Sequence, residues 1–357
     1  MVISTSMAAT PPKNNPLENP DTLKKLGEFG FIDKLRESLK SNNPSVKLGL
    51  GDDAAIFKPT PGQELVFTTD MLVEKKHFDF KFITPWQLGA KTMAVNLSDC
   101  AAMGAKPTVA VVSLGVPKDF PVASLEAFYD GMKSWGESFG AQIVGGDTVG
   151  SDQFVVNIAL IGEVEAGRAL RRSGAKAGDA LFVTGTLGDS AAGLHALQNP
   201  AAKGKETAPL LIQRHLTPVP RFNTGRVLST KKLASSAIDI SDGLSSEVHH
   251  LCEESGVGAE IHEEAIPLST SLIHYCDENH LDPLNFALHG GEDYELLFTV
   301  PLAKISEVVR TLAAETGVAV KAIGRMVPKA KGITFITRKG QRIPLESKGF
   351  DHFGKKV

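Results

Sequence analysis

One predicted helix, which ends at Gly104, constrains the fold most because nearly all of its residues are small or apolar. Thr84 and Pro85 provide a capping residue and a proline at the first helical position, and Gly104 followed by Pro107 provides a stop. The residues between these signals predict a helix that is buried on several sides. The rest of the chain must therefore supply the elements that cover it.

A short polar stripe interrupts this helix. Thr92, Asn96 and Asp99 fall at positions i, i+4 and i+7, so they lie on one side. A carboxylate among apolar neighbours is costly unless a cation, a positive side chain or hydrogen-bond donors meet it, and no residue on that helix face provides one. Asp99 is therefore either a hydrogen-bonded core acid or a functional carboxylate, and the helix alone leaves both possibilities open. If Asp99 is functional, we expect Asn96 to hold its carboxylate in place.

Apolar strands and amphipathic helices alternate along the chain, which predicts a mixed α/β fold with carboxylates at strand ends. Residues 168–179, rich in Gly, Arg and Lys, form the best candidate linker. We therefore expect two α/β domains, at residues 21–167 and 168–357. Residues 1–20 lack the apolar core of a signal peptide, which predicts a disordered leader.

Three short apolar runs precede the central helix. Residues 46–50 alternate as a strand, and residues 54–57 and 65–69 flank the turn at 59–62, which predicts a hairpin. The second arm of this hairpin ends on Asp70.

Composition excludes several classes of function. The net charge of -3 gives no sign of a nucleic-acid or anionic-membrane surface. No apolar run approaches the roughly 18 residues of a membrane span. The three cysteines are widely spaced and form no CxxC pair, which favours a reducing cytoplasm over a disulfide framework or a structural zinc site.

Aspartates recur beside Gly or small hydroxyl residues at the ends of apolar strands. Any one of them is more often a turn or cap residue than a ligand. If they converge, their repulsion requires divalent cations, and hard oxygen ligands without a His or Cys cluster favour Mg²⁺. Hydroxyl groups could add neutral oxygen ligands. The acids are Asp52, Asp53, Asp70, Asp99, Asp147, Asp239 and Asp242, and the hydroxyl residues are Thr68, Thr69 and Ser241.

A magnesium site of this kind favours a phosphate-handling function, because Mg²⁺ is usually shared with substrate phosphates. The sequence has no GxxxxGK[ST] loop and no GxGxxG fingerprint between a strand and a helix. The turn at 185–188 and the arginines 168, 171 and 172 could meet an anion, but taken alone these residues favour a tight turn and a solvated linker. The sequence contains no GxSxG elbow and no Cys–His arrangement, so it does not support nucleophilic catalysis.

Six motifs, in order along the chain, resemble those of the thiamine-monophosphate kinases. That family belongs to the superfamily of aminoimidazole ribonucleotide synthetase and selenophosphate synthetase. The similarity runs from about residue 27 to residue 353 and includes 170–179 and 348–353. The motifs are Gly51–Ala55, Thr68–Asp70, Ala94–Asp99 with Ala102–Ala105, Gly145–Thr148, Ile238–Gly243 and Gly290–Leu297.

The resemblance implies ATP-dependent phosphorylation of thiamine monophosphate to thiamine diphosphate, with several Mg²⁺ ions between ATP and the acceptor. It also implies a homodimer whose N-terminal sheets pack together, with the nucleotide near that interface. The implied metal ligands are Asp53, Thr68, Thr69, Asp70, Asp99, Asp147, Asp239 and Asp242, of which Asp99, Asp147 and Asp242 are the most critical. The implied nucleotide contacts are Gly146, Asp147, Arg172 and Ser241, and the implied thiamine-phosphate contacts are His77, Glu292 and Phe350.

A direct transfer of this kind needs no general base. The second pKa of a phosphate monoester is about 6, so the acceptor oxygen is largely ionised at neutral pH. Positioning and electrostatic screening then supply most of the catalysis, which agrees with the lack of a catalytic Ser or His motif.

Three alternatives remain. Another ATP-dependent synthetase of the superfamily is disfavoured, because no Cys precedes Gly51 and because residues 290–296 look like the kinase. A Mg²⁺-dependent phosphohydrolase would use the same carboxylates with a metal-activated water. A non-catalytic metal-binding module would leave His77, Glu292 and Phe350 unexplained.

Overall fold

Strands and helices alternate in the computed structural model, which describes residues 21–204 and 206–349. The contacts divide the chain into two units. The first holds the described residues up to Cys100 together with Ala105–Gly167, and the second holds Ala101–Gly104 and the residues from Arg168 onward. The mixed α/β class predicted from the sequence is confirmed in both units. The predicted leader at 1–20 lies outside the described residues.

The first unit contains three helices and six strands among its described residues. In chain order they are α1 (Leu23–Ser38), β1 (Val46–Leu48), β2 (Ile56–Phe57), β3 (Gln63–Val73), α2 (Pro85–Ala102), β4 (Lys106–Val116), α3 (Val122–Phe139), β5 (Gln142–Gly150) and β6 (Val155–Glu165). Strands β3, β6, β4 and β5 form a four-stranded sheet in that order, in which only β4 and β5 pair in parallel.

The predicted central helix is confirmed as α2. The Thr84 hydroxyl accepts the N–H of Gln87, and Gly104 takes the left-handed conformation, with φ of 66°, just beyond the last turn. From Lys91 to Cys100 every residue is buried except Asp99, which is half-buried. The helix is therefore covered on several sides, as its composition predicts.

Two glycines let α2 and α3 approach closely. A Cβ atom at Gly89 would lie 1.9 Å from the carbonyl oxygen of Phe128, and one at Gly131 would lie 2.0 Å from that of Trp86. Both distances are far below any van der Waals contact, so the two backbones touch directly at these positions.

The predicted hairpin between residues 54–57 and 65–69 is wrong. β2 pairs with β1, and β3 pairs along all its eleven residues with the distant β6. The turn at 59–62 is present, but an eleven-residue ladder satisfies more backbone groups than a short local hairpin would.

The second unit is built on a mixed seven-stranded sheet. Its elements are β7 (Ala180–Thr184), α4 (Asp189–Gln198), α5 (Ala208–Leu216), α6 (Phe222–Thr230), β8 (Ser236–Asp239), α7 (Leu244–Ser255), β9 (Val257–His262), α8 (Thr270–Asn279), α9 (Pro283–His289), β10 (Leu296–Val300), α10 (Ile305–Thr316), β11 (Val320–Pro328), β12 (Ile333–Ile336) and β13 (Arg342–Pro344). The strand order is β13-β12-β9-β11-β7-β10-β8.

Helices cover both faces of this sheet. Leu181 and Val183 of β7 face a core built with α7 and α9. Ala180 and Phe182 alternate with them and face a second core built with α6 and α10. The strands between the two cores are consequently buried on both sides, and functional side chains are left to the strand ends and loops.

No helix in the described ranges is long and apolar enough to cross a membrane. Cys100, Cys252 and Cys276 are buried free thiols.

Candidate active site

A hydroxyl and two carboxylates meet in the first unit, between β3 and α2. Thr68 and Asp70 lie two residues apart on β3, so they face the same side of the sheet, and the Thr68 hydroxyl donates a hydrogen bond to the Asp99 carboxylate on α2. Burial, together with the negative charge of Asp99, raises the pKa of Asp70 to about 7. In this cluster of Thr68, Asp70 and Asp99, the two carboxylates therefore repel each other.

Its donor set fits Mg²⁺. All donors are hard oxygens, and a divalent cation would offset the carboxylate repulsion that raises the pKa of Asp70. Within residues 21–204 and 206–349, no three or more His, Cys, Asp or Glu side chains lie close enough together to form a complete metal site. The cluster therefore supplies two carboxylates and a hydroxyl rather than a closed cage.

Asn96 makes a different contact from the one predicted. Its amide donates to the carbonyl oxygen of Thr92 at 3.2 Å, and its Oδ1 has no hydrogen-bond partner among the described residues. The Asp99 carboxylate is instead held by Thr68 from the neighbouring strand.

Thr69 and Asp147 lie on the opposite face of the sheet from Asp70. The Thr69 hydroxyl donates to Oδ1 of Asn157 on β6 at 2.9 Å. Asp147 pairs with Ser113 across β4 and β5, and Ser113 pairs in turn with Asn157. Asp147 is thus three strand spacings from β3, which is on the order of 14 Å. A single copy of the sheet does not bring Asp147 to Asp70.

Gly146, next to Asp147, occupies a position that only glycine fits. A Cβ atom there would lie 2.1 Å from the carbonyl oxygen of Val112 on the adjacent strand. The family resemblance implies that Gly146 contacts the nucleotide, and the structure adds a packing reason for a glycine at this position.

Asp53 and His77 lie in loops of the first unit. Asp53 is exposed, and its N–H donates to the carboxylate of Asp52 at 2.9 Å. His77 follows β3, and its Nδ1 accepts the N–H of Val73 at 3.0 Å. A neutral His77 therefore carries its proton on Nε2.

In the second unit, Asp239, Ser241 and Asp242 follow one another from the end of β8 to the start of α7. Asp239 is buried at the last position of β8. Asp242 precedes Gly243, whose φ of 109° turns the chain into α7. The predicted strand-to-helix transition is confirmed here.

Glu247 supports this turn, and the sequence analysis did not identify it. Its carboxylate accepts the N–H of Asp242 at 3.0 Å and the Ser241 hydroxyl at 3.4 Å. Burial raises the pKa of Glu247 to about 7, against the opposing effects of the Asp242 hydrogen bond and of the charge on Arg172. The sequence signal that could have identified Glu247 is its position as an acid in the first turn of a predicted helix.

The loop from Gly290 to Tyr294 packs against the same turn. The Glu292 N–H donates to the Ser241 carbonyl at 2.7 Å, and the Tyr294 N–H donates to that of Ile240 at 2.9 Å. Glu292 and Tyr294 both take positive φ angles, of 66° and 50°, which are uncommon for residues with side chains. Two motifs that are distant in sequence therefore form one surface.

The acids that follow Glu292 have structural partners. Asp293 is partly buried and accepts the N–H groups of Gly188 and Ser190 at the start of α4, and burial raises its pKa well above its ordinary value. Glu295 is buried, and it pairs with Arg221 through two hydrogen bonds and accepts the hydroxyl of Thr184.

Glu292 has a side-chain partner that the sequence does not indicate. Its Oε2 lies 3.2 Å from Nδ1 of His215, near the end of α5. His215 is buried, and its Nδ1 also lies 3.1 Å from the Ser190 hydroxyl. No local spacing links residues this far apart in sequence.

The structure describes the C-terminal segment as far as Gly349, where a Cβ atom would lie 2.0 Å from the Ser246 hydroxyl and 2.7 Å from the Asp242 carbonyl. Phe350, the third predicted substrate contact, lies outside the described residues.

Comparisons with known proteins agree with these motifs. The AIR synthase related protein N-terminal domain matches residues 51–164, and the corresponding C-terminal domain matches residues 176–336. The thiamine-monophosphate kinase of Salmonella typhimurium is 42% identical over 330 residues, which cover 92% of this chain and 98% of the relative.

Two solved structures are similar throughout. The thiamine-monophosphate kinase from Stenotrophomonas maltophilia has a TM-score of 0.78 and 33% identity, covering 89% of this chain and 98% of that one. The structure of AaThiL complexed with AMPPCP and TMP has a TM-score of 0.73 and 37% identity, covering 93% of this chain and 99% of that one.

Proposed function

The chain belongs to the thiamine-monophosphate kinase family of the AIR synthase-related superfamily, and from that premise we propose how its residues phosphorylate thiamine monophosphate. The reaction is the ATP-dependent conversion of thiamine monophosphate to thiamine diphosphate. We propose a direct in-line transfer: an oxygen of the thiamine phosphate attacks the γ-phosphorus of ATP, the bond to the β-γ bridging oxygen breaks, and ADP leaves.

The cluster of Thr68, Asp70 and Asp99 is the observation that carries this mechanism. Two carboxylates so close that the charge of Asp99 raises the pKa of Asp70 favour a bound divalent cation. Bound Mg²⁺ would screen the charge of the two polyanions. The protein groups supply no proton transfer at the acceptor, because a phosphate monoester is already largely ionised at neutral pH.

We propose metal ligands within each unit. Asp99, Asp147 and Asp242 are the most critical of them. The proposed set is Asp53, Thr68, Thr69, Asp70, Asp99 and Asp147 in the first unit, and Asp239 and Asp242 in the second.

The substrates are assigned to further residues. Gly146, Asp147, Arg172 and Ser241 contact the nucleotide. The proximity of Arg172 to Glu247, which in turn holds Ser241 and Asp242, supports this set. His77, Glu292 and Phe350 contact thiamine monophosphate, whose thiazolium ring and amino group suit a carboxylate such as that of Glu292.

An apolar surface on the first unit supports a homodimer. The face of the four-stranded sheet opposite Asp70 exposes Leu65, Phe67 and Met71 on β3, Val111 on β4 and Val149 on β5. Contiguous exposed apolar side chains of this kind mark interaction surfaces. A second copy of the sheet packed on this face would cover them, and Asp147 would then adjoin the interface, close to the proposed nucleotide.

The cytoplasm is the compartment we propose. Three free thiols are retained in the core and no pair of them forms a disulfide. That state is the one expected in a reducing environment.

A product assay separates this function from its alternatives. The purified protein is incubated with ATP and Mg²⁺, with and without thiamine monophosphate. ADP and thiamine diphosphate formed together support the kinase. Free phosphate formed without the vitamin supports the phosphohydrolase, and no turnover leaves a binding module.

A further inference from the structure

His215 is built into the second unit as a fixed anchor. It lies near the end of α5 with 5% of its surface exposed. Its Nδ1 faces two oxygens at once, the Ser190 hydroxyl at 3.1 Å and the Glu292 carboxylate at 3.2 Å. Ser190 is itself buried at the first turn of α4. The same ring nitrogen therefore contacts a buried residue of α4 and a residue of the proposed substrate site.

The chemistry of these groups fixes the direction of the hydrogen bond. An ionised carboxylate only accepts hydrogen bonds, so the contact with Glu292 requires a proton on Nδ1. The Nδ1–H then donates to Glu292 and shares this donation with the Ser190 oxygen.

The main chain of Glu292 is already fixed by other contacts. Its φ is 66°, its N–H donates to the Ser241 carbonyl at 2.7 Å, and the next residue, Asp293, is locked into the start of α4. Its side chain is 29% exposed. The contact with His215 thus orients a carboxylate whose backbone cannot adjust.

We propose that His215 is a positioning residue for thiamine monophosphate, which holds the Glu292 carboxylate ready to meet the cationic and amine groups of the vitamin. This rests on the proposed function, in which Glu292 contacts that substrate. An orientation set before binding lowers the cost of ordering the side chain when the substrate arrives. His215 acts through Glu292 and touches no reacting atom.

Two similar substitutions isolate the hydrogen bond from packing. In His215→Asn the amide nitrogen lies near the place of Nδ1, whereas in His215→Gln it lies near the place of Nε2. We expect H215Q to raise the KM for thiamine monophosphate about tenfold, the scale of one lost hydrogen bond to a charged group. The KM for ATP should stay within about twofold, and H215N should restore the KM for thiamine monophosphate to within about threefold of wild type.

A matched control tests whether any hydrogen-bonded histidine in this region has the same effect. His195 on α4 bonds to the Tyr275 hydroxyl at 2.8 Å and belongs to no assigned site. His195→Gln should leave both KM values within about twofold of wild type. Equal effects of H195Q and H215Q on the KM for thiamine monophosphate would overturn the proposal, as would a failure of H215N to restore it.

A double-mutant cycle closes the test. Adding H215Q to Glu292→Ala should raise the KM for thiamine monophosphate no further, because the partner is already lost. Additive effects would show that His215 acts independently of Glu292 and would overturn the proposal. Wild-type protein that does not phosphorylate thiamine monophosphate would instead refute the proposed function, so the two failures are distinguishable.

Discussion

The hydroxyl of Thr68 on β3 donates a hydrogen bond to the carboxylate of Asp99 on α2. This bond joins the terminal strand of the four-stranded sheet to a helix that is buried along most of its length. Asp99 is thereby directed towards β3, where Asp70 faces the same side as Thr68. A buried helix thus presents one carboxylate to another.

The Asp99→Asn variant should keep its fold and lose most of its activity. The amide retains the size of the carboxylate but removes the negative charge that a divalent cation needs. Thermal unfolding checks the fold, and turnover at saturating Mg²⁺ checks the function. The exposed Asp152 in the same unit provides the control, since D152N should behave as wild type. Near wild-type turnover of D99N would refute the metal-ligand role.

Phe67→Asp should shift the protein from dimer to monomer. Phe67 is 69% exposed in the apolar face of the four-stranded sheet, and an aspartate there would bring a desolvated charge into the proposed interface. Sedimentation equilibrium measures the mass. Leu302 in the second unit is 67% exposed, so L302D is a matched control and should remain dimeric. A monomeric wild type, or a dimeric F67D, would count against the sheet-to-sheet dimer.

Gly146→Ala should lower the free energy of unfolding by about 1–3 kcal/mol, because the added Cβ overlaps the Val112 carbonyl of the neighbouring strand. Gly150 lies on the same strand with open space around its Cβ position, so G150A should have little effect. Urea unfolding of both variants measures the difference. Equal stability of the two would show that β5 shifts to accommodate the methyl group.

Glu295→Gln should lower the free energy of unfolding by about 3–5 kcal/mol, because it leaves the Arg221 guanidinium, whose side chain is only 15% exposed, without its charge partner. Glu315 pairs with Lys231 at 2.6 Å on the surface, and E315Q should cost at most about 1 kcal/mol. Urea unfolding again provides the comparison. Similar losses in the two variants would mean that burial does not determine how much the Arg221–Glu295 ion pair contributes to the free energy of unfolding.

Local signals accounted for the elements that the sequence predicted correctly. The cap at Thr84, the stop at Gly104 and the composition between them act over single turns, so α2 could be placed without knowing its neighbours. The hairpin before Asp70 was wrong because the partner of β3 is β6, and no local signal reports a ladder of such sequence separation.

Some residues of the candidate site could likewise be predicted from local sequence, and others could not. The recurring aspartates suggested that carboxylates meet, and Asp70 and Asp99 do so. His215 and Glu247 escaped notice because their roles arise from packing between distant segments. The predicted contact between Asn96 and Asp99 was wrong. The helix pattern shows that the two residues lie on the same side of α2, but it does not reveal that Thr68 of the neighbouring strand binds Asp99 instead.

The crossing of α2 and α3 at Gly89 and Gly131 has a mechanical consequence. Gly89 lies ten residues before Asp99, about 15 Å along the helix axis. With two backbones in direct contact, α2 can neither roll about its axis nor slide along α3 without a steric collision. The orientation of the Asp99 carboxylate is thus fixed by a helix contact that is remote from it. One methyl group added at that crossing would displace the acid without touching it.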